Sequence, residues 1–95
     1  MIKRIVKLTF LEDKTDDFFT IFESSKSLIR KFPGCRHVEL LRAKHKPTLF
    51  FTFSIWDSEE ALENYRHSEL FKNTWRKTKA LFSDKPAAWT VGLIG

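Results

Sequence analysis

Two periodicities alternate along the chain. Four segments alternate apolar and polar residues with the two-residue period of a β-strand: 2–10, 35–43, 49–56 and 87–94. Two longer segments carry apolar residues three or four positions apart, the period of an amphipathic helix: 13–31 and 57–82. The resulting order, β-α-β-β-α-β, predicts an α+β fold of the ferredoxin-like, split βαβ type. In this fold the helices cover one face of a four-stranded antiparallel sheet.

The ends of the helical segments carry their own signals. Pro33 and Gly34 are predicted to end the first helix, because proline cannot continue a helix and glycine tolerates a left-handed exit. Asp57 is predicted to open the second helical segment, since Glu60 follows it at capping-box spacing. Within that segment, Ser68 is a predicted N-cap at which the helix restarts.

The sheet face that the helices leave uncovered is predicted to be apolar. It is expected to carry Ile5, Phe50 and Trp56 and, depending on the strand register, Ile94 or Cys35. Large aromatic side chains on an uncovered face are poorly matched to water. We therefore expect two copies of the chain to pack sheet against sheet as a homodimer.

Composition indicates one small globular domain, residues 1–95. The chain is 42% hydrophobic and contains ten Phe, three Trp and one Tyr, which is enough for one modest core. No apolar run approaches the ~20 residues of a membrane span, and residues 1–4 do not lead into a signal-peptide stretch. The single cysteine, Cys35, excludes an internal disulfide. We therefore expect a cytoplasmic protein with no membrane partner.

The net charge of +5 raises the question of a nucleic-acid partner. However, acidic residues gather where the predicted helices begin and basic residues where they end, as helix dipoles favour. RNA recognition motifs share this order of elements, but residues 46–53 match their third-strand motif poorly. Phe50 and Phe53 would also point to opposite faces of the strand. No nucleic-acid partner is therefore expected.

Three segments resemble landmarks of the antibiotic biosynthesis monooxygenase family. They are a Pro-Gly turn into the second strand, a Trp-x-Ser-x-x-Ala helix entry and a His-x-x-x-Phe segment, which lie at 33–35, 56–61 and 65–71. Their order and spacing extend the resemblance over nearly the whole chain. The resemblance implies a dimeric α/β barrel with a pocket between the sheet and the helices of each subunit.

The activity implied by this resemblance is oxidation of a small aromatic or quinol-like compound by molecular oxygen, without flavin, haem or metal. The substrate anion would supply the electrons. The protein would supply a dry aromatic pocket, a proton acceptor and polar groups that hold the anion. The alternative is a non-catalytic dimeric domain that binds a small apolar ligand, because the fold hosts proteins of both kinds.

A haem-degrading branch of the family fits the sequence less well. That branch has an Asn on the first strand, a Trp in the second helix and a His further along, where this chain has Val6, Tyr65 and Trp75. Tryptophan cannot replace histidine as a haem ligand, so haem degradation of that type is disfavoured. The cofactor-free branch also tends to place a Trp at the position of Tyr65, which keeps an aromatic ring and adds a hydroxyl.

The candidate catalytic residues are His67 and Tyr65. Histidine titrates near pH ~6.5 and can act as a base, whereas the Tyr65 hydroxyl can donate a hydrogen bond to a phenolate. Each candidate also has a plain structural interpretation, which is turn capping for His67 and core packing for the aromatic residues. The predicted substrate-binding residues are Phe71, Trp75, Trp89 and Asn64.

No metal or nucleotide cofactor is expected. His37 and His45 flank the predicted hairpin, but no third ligand accompanies them at a metal-binding spacing. The three glycines form no phosphate-binding loop, which removes cofactors held by a glycine fingerprint.

Overall fold

The computed structural model describes residues 1–95 as one antiparallel sheet with helices packed against one face. In chain order the elements are β1 (Ile2–Thr9), α1 (Thr15–Arg30), β2 (Cys35–Arg42), β3 (Leu49–Trp56), α2 (Glu59–Arg66), α3 (Glu69–Lys79) and β4 (Ala87–Val91). A short 3₁₀ turn, Glu12–Lys14, precedes α1. The strand order is β2-β3-β1-β4 and every neighbouring pair is antiparallel. The predicted ferredoxin-like α+β fold is confirmed.

The helices after β3 begin at different residues from those predicted. Ser58, not Asp57, caps α2, because its hydroxyl accepts a hydrogen bond from the Ala61 amide at 3.1 Å. Asp57 instead forms an ion pair with the Arg36 guanidinium. Ser68 caps α3 as predicted, so the second helical segment consists of two helices.

The last strand is shorter than predicted. β4 ends at Val91, which pairs with Lys3 close to the start of β1. Residues 92–95 extend past the strand, and Ile94 is fully exposed beyond the sheet. None of the helices is both long and apolar enough to span a bilayer.

The strand register decides which side chains face the helices, and it corrects part of the sequence-based prediction. Phe50 pairs with Leu8 on β1, and both residues are buried on the helix-covered face. Trp56 is also buried on that face, with 1% of its surface exposed. Ile5 lies on the uncovered face as predicted, where it pairs with Phe53.

The uncovered face carries an apolar patch interspersed with Lys3, Lys7, His37 and Glu39, and the patch is formed by a different set of residues from those predicted. Cys35 packs against the core beneath the helices and does not belong to this face. The apolar side chains of the uncovered face come from all four strands: Leu41, Leu49, Phe51, Phe53, Ile55, Ile5, Trp89 and Val91.

The core lies between α1 and the helix-covered face of the sheet. Phe10 stacks on Phe18 with ring centroids 4.2 Å apart, and Phe50 meets Phe18 edge-on at 5.5 Å. This packing joins the residue that follows β1 to α1 and β3. The buried cluster comprises Leu8, Phe10, Phe18, Phe22, Ile29, Val38 and Phe50.

Gly34 brings the turn after α1 into contact with α2. Its φ of 88° lies in the left-handed region, which glycine adopts without steric cost. A Cβ added at Gly34 would overlap the Cβ of Ala61 on α2. The Gly34 carbonyl also accepts a hydrogen bond from the Asp57 amide at 2.8 Å. This turn therefore helps to fix the position of α2 over the sheet.

Candidate active site

A cavity of about 300 Å³ lies between the sheet and the helices. All four strands and all three helices contribute to its wall, and 13 of its 20 lining residues are hydrophobic. A concave, mostly apolar site with a few polar groups is the usual form of a small-molecule site. We therefore take this cavity as the candidate active site.

Four aromatic rings form a continuous wall of the cavity. Trp56 stacks on Tyr65 with centroids 4.9 Å apart, and Tyr65 meets Phe71 edge-on at 5.2 Å. Phe71 lies nearly parallel to Trp75 at 5.8 Å. Such rings offer flat apolar surfaces and edges against which an aromatic ligand can pack. The structure therefore brings together three of the predicted site residues, Tyr65, Phe71 and Trp75.

The break between α2 and α3 sets the positions of two of these rings. The Ser68 hydroxyl accepts a hydrogen bond from the Phe71 amide at 3.1 Å and donates to the Tyr65 carbonyl. One serine side chain thereby connects the last turn of α2 to the first turn of α3. Tyr65 and Phe71 are fixed on the two sides of this capped break.

The hydroxyl groups of the cavity are partly engaged within the chain. Ser54 accepts a hydrogen bond from the Trp56 indole nitrogen at 3.0 Å, and Thr78 donates to the Thr74 carbonyl at 2.8 Å. These bonds satisfy polar groups that burial would otherwise leave without partners.

The charged residues of the cavity wall are two arginines, Arg4 from β1 and Arg66 from α2. No histidine, cysteine or carboxylate lines the cavity, and no group of three such residues is arranged to hold a metal ion. The arrangement can hold a flat aromatic molecule and stabilise an anion, but its wall supplies no ordinary general base.

A model of the antibiotic biosynthesis monooxygenase family matches residues 1–77. The chain belongs to this family. No relative was found among curated protein sequences.

Solved structures show the same fold at low sequence identity. One crystal structure of an antibiotic biosynthesis monooxygenase superposes with a TM-score of 0.93 at 17% identity, covering 100% of both chains. Rv0793 from Mycobacterium tuberculosis gives 0.90 at 17% identity, covering 99% of this chain and 95% of that one. PA3566 from Pseudomonas aeruginosa gives 0.87 at 19%, covering 99% and 94%. At these identities the similarity shows the fold alone.

Three predicted site residues lie outside the cavity of this family member. His67 forms the C-cap of α2, and its side chain is 71% exposed and lies 3.5 Å from the Glu63 carboxylate. Asn64 is exposed on α2. Trp89 pairs with Ile5 on the uncovered face of the sheet, so its expected place in the pocket is corrected. Strand alternation explains this, because Ala88 is the neighbour that faces the cavity.

Among the cavity-wall residues that are not predicted site residues, two bear most directly on the chemistry of the site, Trp56 and Arg4. The expectation that Trp56 lies on the uncovered face is wrong. Arg4 did leave a signal, since it interrupts an otherwise apolar row on β1 that includes Val6 and Leu8. A charged residue in a core-facing row indicates either a partner or a functional site.

The cavity changes the acid–base behaviour of Tyr65, the only tyrosine of the chain. Burial raises the pKa of its hydroxyl, and the neighbouring Cys35 adds to the increase. Tyr65 is therefore a neutral hydrogen-bond donor near neutral pH. Below the unfolded-state pKa of ~10 the hydroxyl is protonated in both states, and the contribution of Tyr65 to the free energy of unfolding is fully present. Above that pH the unfolded chain loses the proton more easily than the folded chain, so this contribution is lost as the pH rises.

We therefore expect Tyr65→Phe to lose less stability than the wild type as the pH is raised above ~10. Urea unfolding over a pH series measures this difference, and tyrosinate absorbance reports the ionisation of Tyr65 directly. The expected result is that tyrosinate appears at higher pH in the folded chain than in the unfolded one. Tyrosinate at the same pH in both states would contradict the burial of this hydroxyl.

Proposed function

We propose that the chain is a monooxygenase that oxidises a small aromatic or quinol-like compound with molecular oxygen in the cavity between sheet and helices. The observation that carries the proposal is the wall of four aromatic rings around an apolar cavity in a member of this family. The cavity volume of about 300 Å³ is twice the ~150 Å³ cavity that holds benzene. A substrate of two fused rings matches this size.

Such a reaction needs no reductant besides the substrate. When a ring methylene next to a phenol becomes a carbonyl, one oxygen atom of O₂ enters the substrate and the other leaves as water with the two methylene hydrogens. The four electrons that reduce O₂ come from the substrate. Exclusion of water by the aromatic wall would protect the reactive carbanion from protonation during this step.

The proposed roles of the site residues follow from their positions. Tyr65 would donate a hydrogen bond to the substrate oxygen, because burial keeps its hydroxyl protonated. Phe71 and Trp75 would pack against the substrate rings. The His67 ring faces Glu63 and solvent. His67 would therefore act as a base only for a proton that first leaves the cavity. The substrate would more simply enter as its anion.

A second candidate function is ligand binding without turnover. The observation that favours it is the absence of histidine, thiol and carboxylate from the cavity wall. Proton transfer from a substrate of ordinary acidity would then lack a positioned acceptor. In this case the cavity would bind aromatic compounds and leave them unchanged.

We also propose that the uncovered face of the sheet is the interface of a homodimer. Trp89 is 49% exposed and Val91 is 39% exposed on this face, beside Phe51, Phe53 and Ile5. A contiguous apolar surface of this kind marks an interaction site. A second copy of the same chain supplies a face of matching chemistry.

The proposed reaction is tested by oxygen consumption of metal-stripped protein with reduced naphthols, anthrones and quinols. We expect uptake above the autoxidation rate for at least one two-ring compound, with one atom from ¹⁸O₂ in the product. Binding without oxygen uptake across the panel would favour the non-catalytic alternative. If no compound of the panel is bound and none is oxidised, the assignment of the cavity as the active site is wrong.

A further inference from the structure

Arg4 is the only charged side chain of β1 that faces the helices. Lys3 and Lys7 lie on the uncovered face, whereas Arg4 shares its face with Val6 and Leu8. Arg4 is only partly exposed and contributes to the cavity wall. A cation in this position requires a physical reason, since charged groups are seldom buried unless they have a partner.

The guanidinium of Arg4 has no carboxylate partner within the chain. Its one side-chain hydrogen bond runs from Nη1 to the Thr90 hydroxyl at 3.0 Å. The other arginine of the cavity, Arg66, is already paired with Glu63 at 2.8 Å. The second oxygen of Glu63 faces His67. Arg4 therefore keeps Nε and Nη2 free of ion pairs at an apolar cavity.

We propose that Arg4 binds an anionic oxygen substituent, a carboxylate or a phenolate, on the aromatic ligand of this cavity. The inference rests on the proposed function and deepens it by naming the chemical class of the substrate. The planar fork of arginine matches two acceptor oxygens, which gives orientation as well as affinity. Thr90 is the positioning residue, because its hydroxyl holds one arm of the fork.

The electrostatics of the cavity support this assignment. Burial lowers the pKa of Arg4, the nearby charge of Arg66 lowers it further, and the Glu63 carboxylate, which forms no ion pair with Arg4, offsets part of this decrease. The guanidinium nonetheless stays protonated near neutral pH. A partly desolvated cation without a partner is costly, and an anionic ligand would remove that cost. The same charge would stabilise a substrate phenolate and so reduce the need for a protein base.

The test measures binding of two matched probes by isothermal titration calorimetry. 2-Naphthoate carries the anion, and 2-naphthamide has nearly the same shape without the charge. We expect the wild type to bind naphthoate at least about tenfold more tightly than naphthamide, since a hydrogen bond to a charged group stabilises more than a neutral one. In Arg4→Gln this preference should disappear, because naphthoate affinity falls far more than naphthamide affinity.

Two further variants serve as controls. Arg66→Gln removes the cation that is already paired, so it should keep most of the preference for naphthoate. Arg4→Lys keeps the charge without the fork and should retain only part of it. A Tm close to that of the wild type shows in each variant that the chain is still folded.

2-Naphthol distinguishes a phenolate from a carboxylate as the natural group. If the site holds a phenolate, wild-type protein at neutral pH should show naphtholate absorption in the complex, and Arg4→Gln should not. If Arg4→Gln weakens the binding of naphthoate but not the binding of naphthol, the substrate carries a carboxylate.

Equal binding of naphthoate and naphthamide to the wild type would overturn the Arg4 proposal and leave the proposed function standing. A preference for naphthoate that survives in Arg4→Gln would do the same. Failure of every probe to bind would overturn the cavity assignment itself, and the proposed function with it.

Discussion

Replacing Gly34 with alanine is expected to lower the free energy of unfolding by about 3 kcal/mol. Two effects add at this position. An alanine is strained at a φ of 88°, and its Cβ would overlap the Cβ of Ala61. The overlap cannot be relieved by a side-chain rotation, because both atoms are fixed to the backbone. The turn or α2 would have to move, and Tyr65 with it.

Thermal unfolding measures this effect directly. For a domain of this size, 3 kcal/mol corresponds to a fall in Tm of about 12 °C or more. Gly92→Ala is the matched control, since nothing lies within 4 Å of a Cβ at Gly92. In the double variant Gly34→Ala/Ala61→Gly, part of the loss should be recovered because the opposing Cβ is gone. Equal Tm values for Gly34→Ala and Gly92→Ala would contradict the close approach of the turn to α2.

Replacing Phe53 with lysine is expected to convert the proposed dimer into a monomer. Phe53 lies near the middle of the uncovered face, between Ile5 on β1 and Glu39 on β2. A lysine there can pair with Glu39 across the strands, so the single chain should stay folded. Burying the same charge against a second apolar sheet is costly. We expect the dimer to weaken about 100-fold or more.

Light scattering coupled to gel filtration checks the assembly. The wild type should have twice the 11.3 kDa mass of the chain, and Phe53→Lys should approach the mass of one chain. Phe19→Lys is the control, because Phe19 is 52% exposed on α1, away from the sheet face. A wild type that is monomeric at micromolar concentration, or an equal effect of both variants, would rule out this interface.

The order and approximate extent of the elements could be predicted because local signals define them. β3 matches its predicted bounds, since a strict alternation runs from Leu49 to Trp56 after Pro47. The break at Ser68 was also predictable, because a serine there can cap the following helix. These features depend on residues that are close together in the sequence, so a single sequence is enough to predict them.

The assignment of the two sheet faces could not be obtained in the same way. Both faces of β3 carry aromatic residues, and the face with Thr52 and Ser54 has the more polar centre. That polarity pointed to solvent, but these two hydroxyl residues line the cavity instead. The hydroxyl residues that line a cavity thus make the inner face resemble an outer one in the sequence. The pairing of β3 with β1, which is distant in sequence, determines which face of β3 the helices cover.

The same limit applies to the candidate site. Phe71 and Trp75 could be grouped because helical spacing places them along one stripe, whereas Tyr65 lies before the predicted break at Ser68. The position of Trp89 depends on how β4 pairs with β1, which no local signal encodes. His67 looked central in sequence because aromatic residues surround it. As the C-cap of α2, however, it faces Glu63 and solvent.

We propose that the substrate is bound and oxidised in the cavity between the sheet and the helices. The most direct test of this proposal is oxygen uptake by Thr74→Phe, which adds a ring to the cavity wall. Thr20→Phe makes the same change on the exposed surface of α1. We predict that Thr74→Phe lowers substrate-dependent uptake about tenfold or more, while Thr20→Phe retains wild-type uptake. Wild-type uptake by a folded Thr74→Phe would contradict the account.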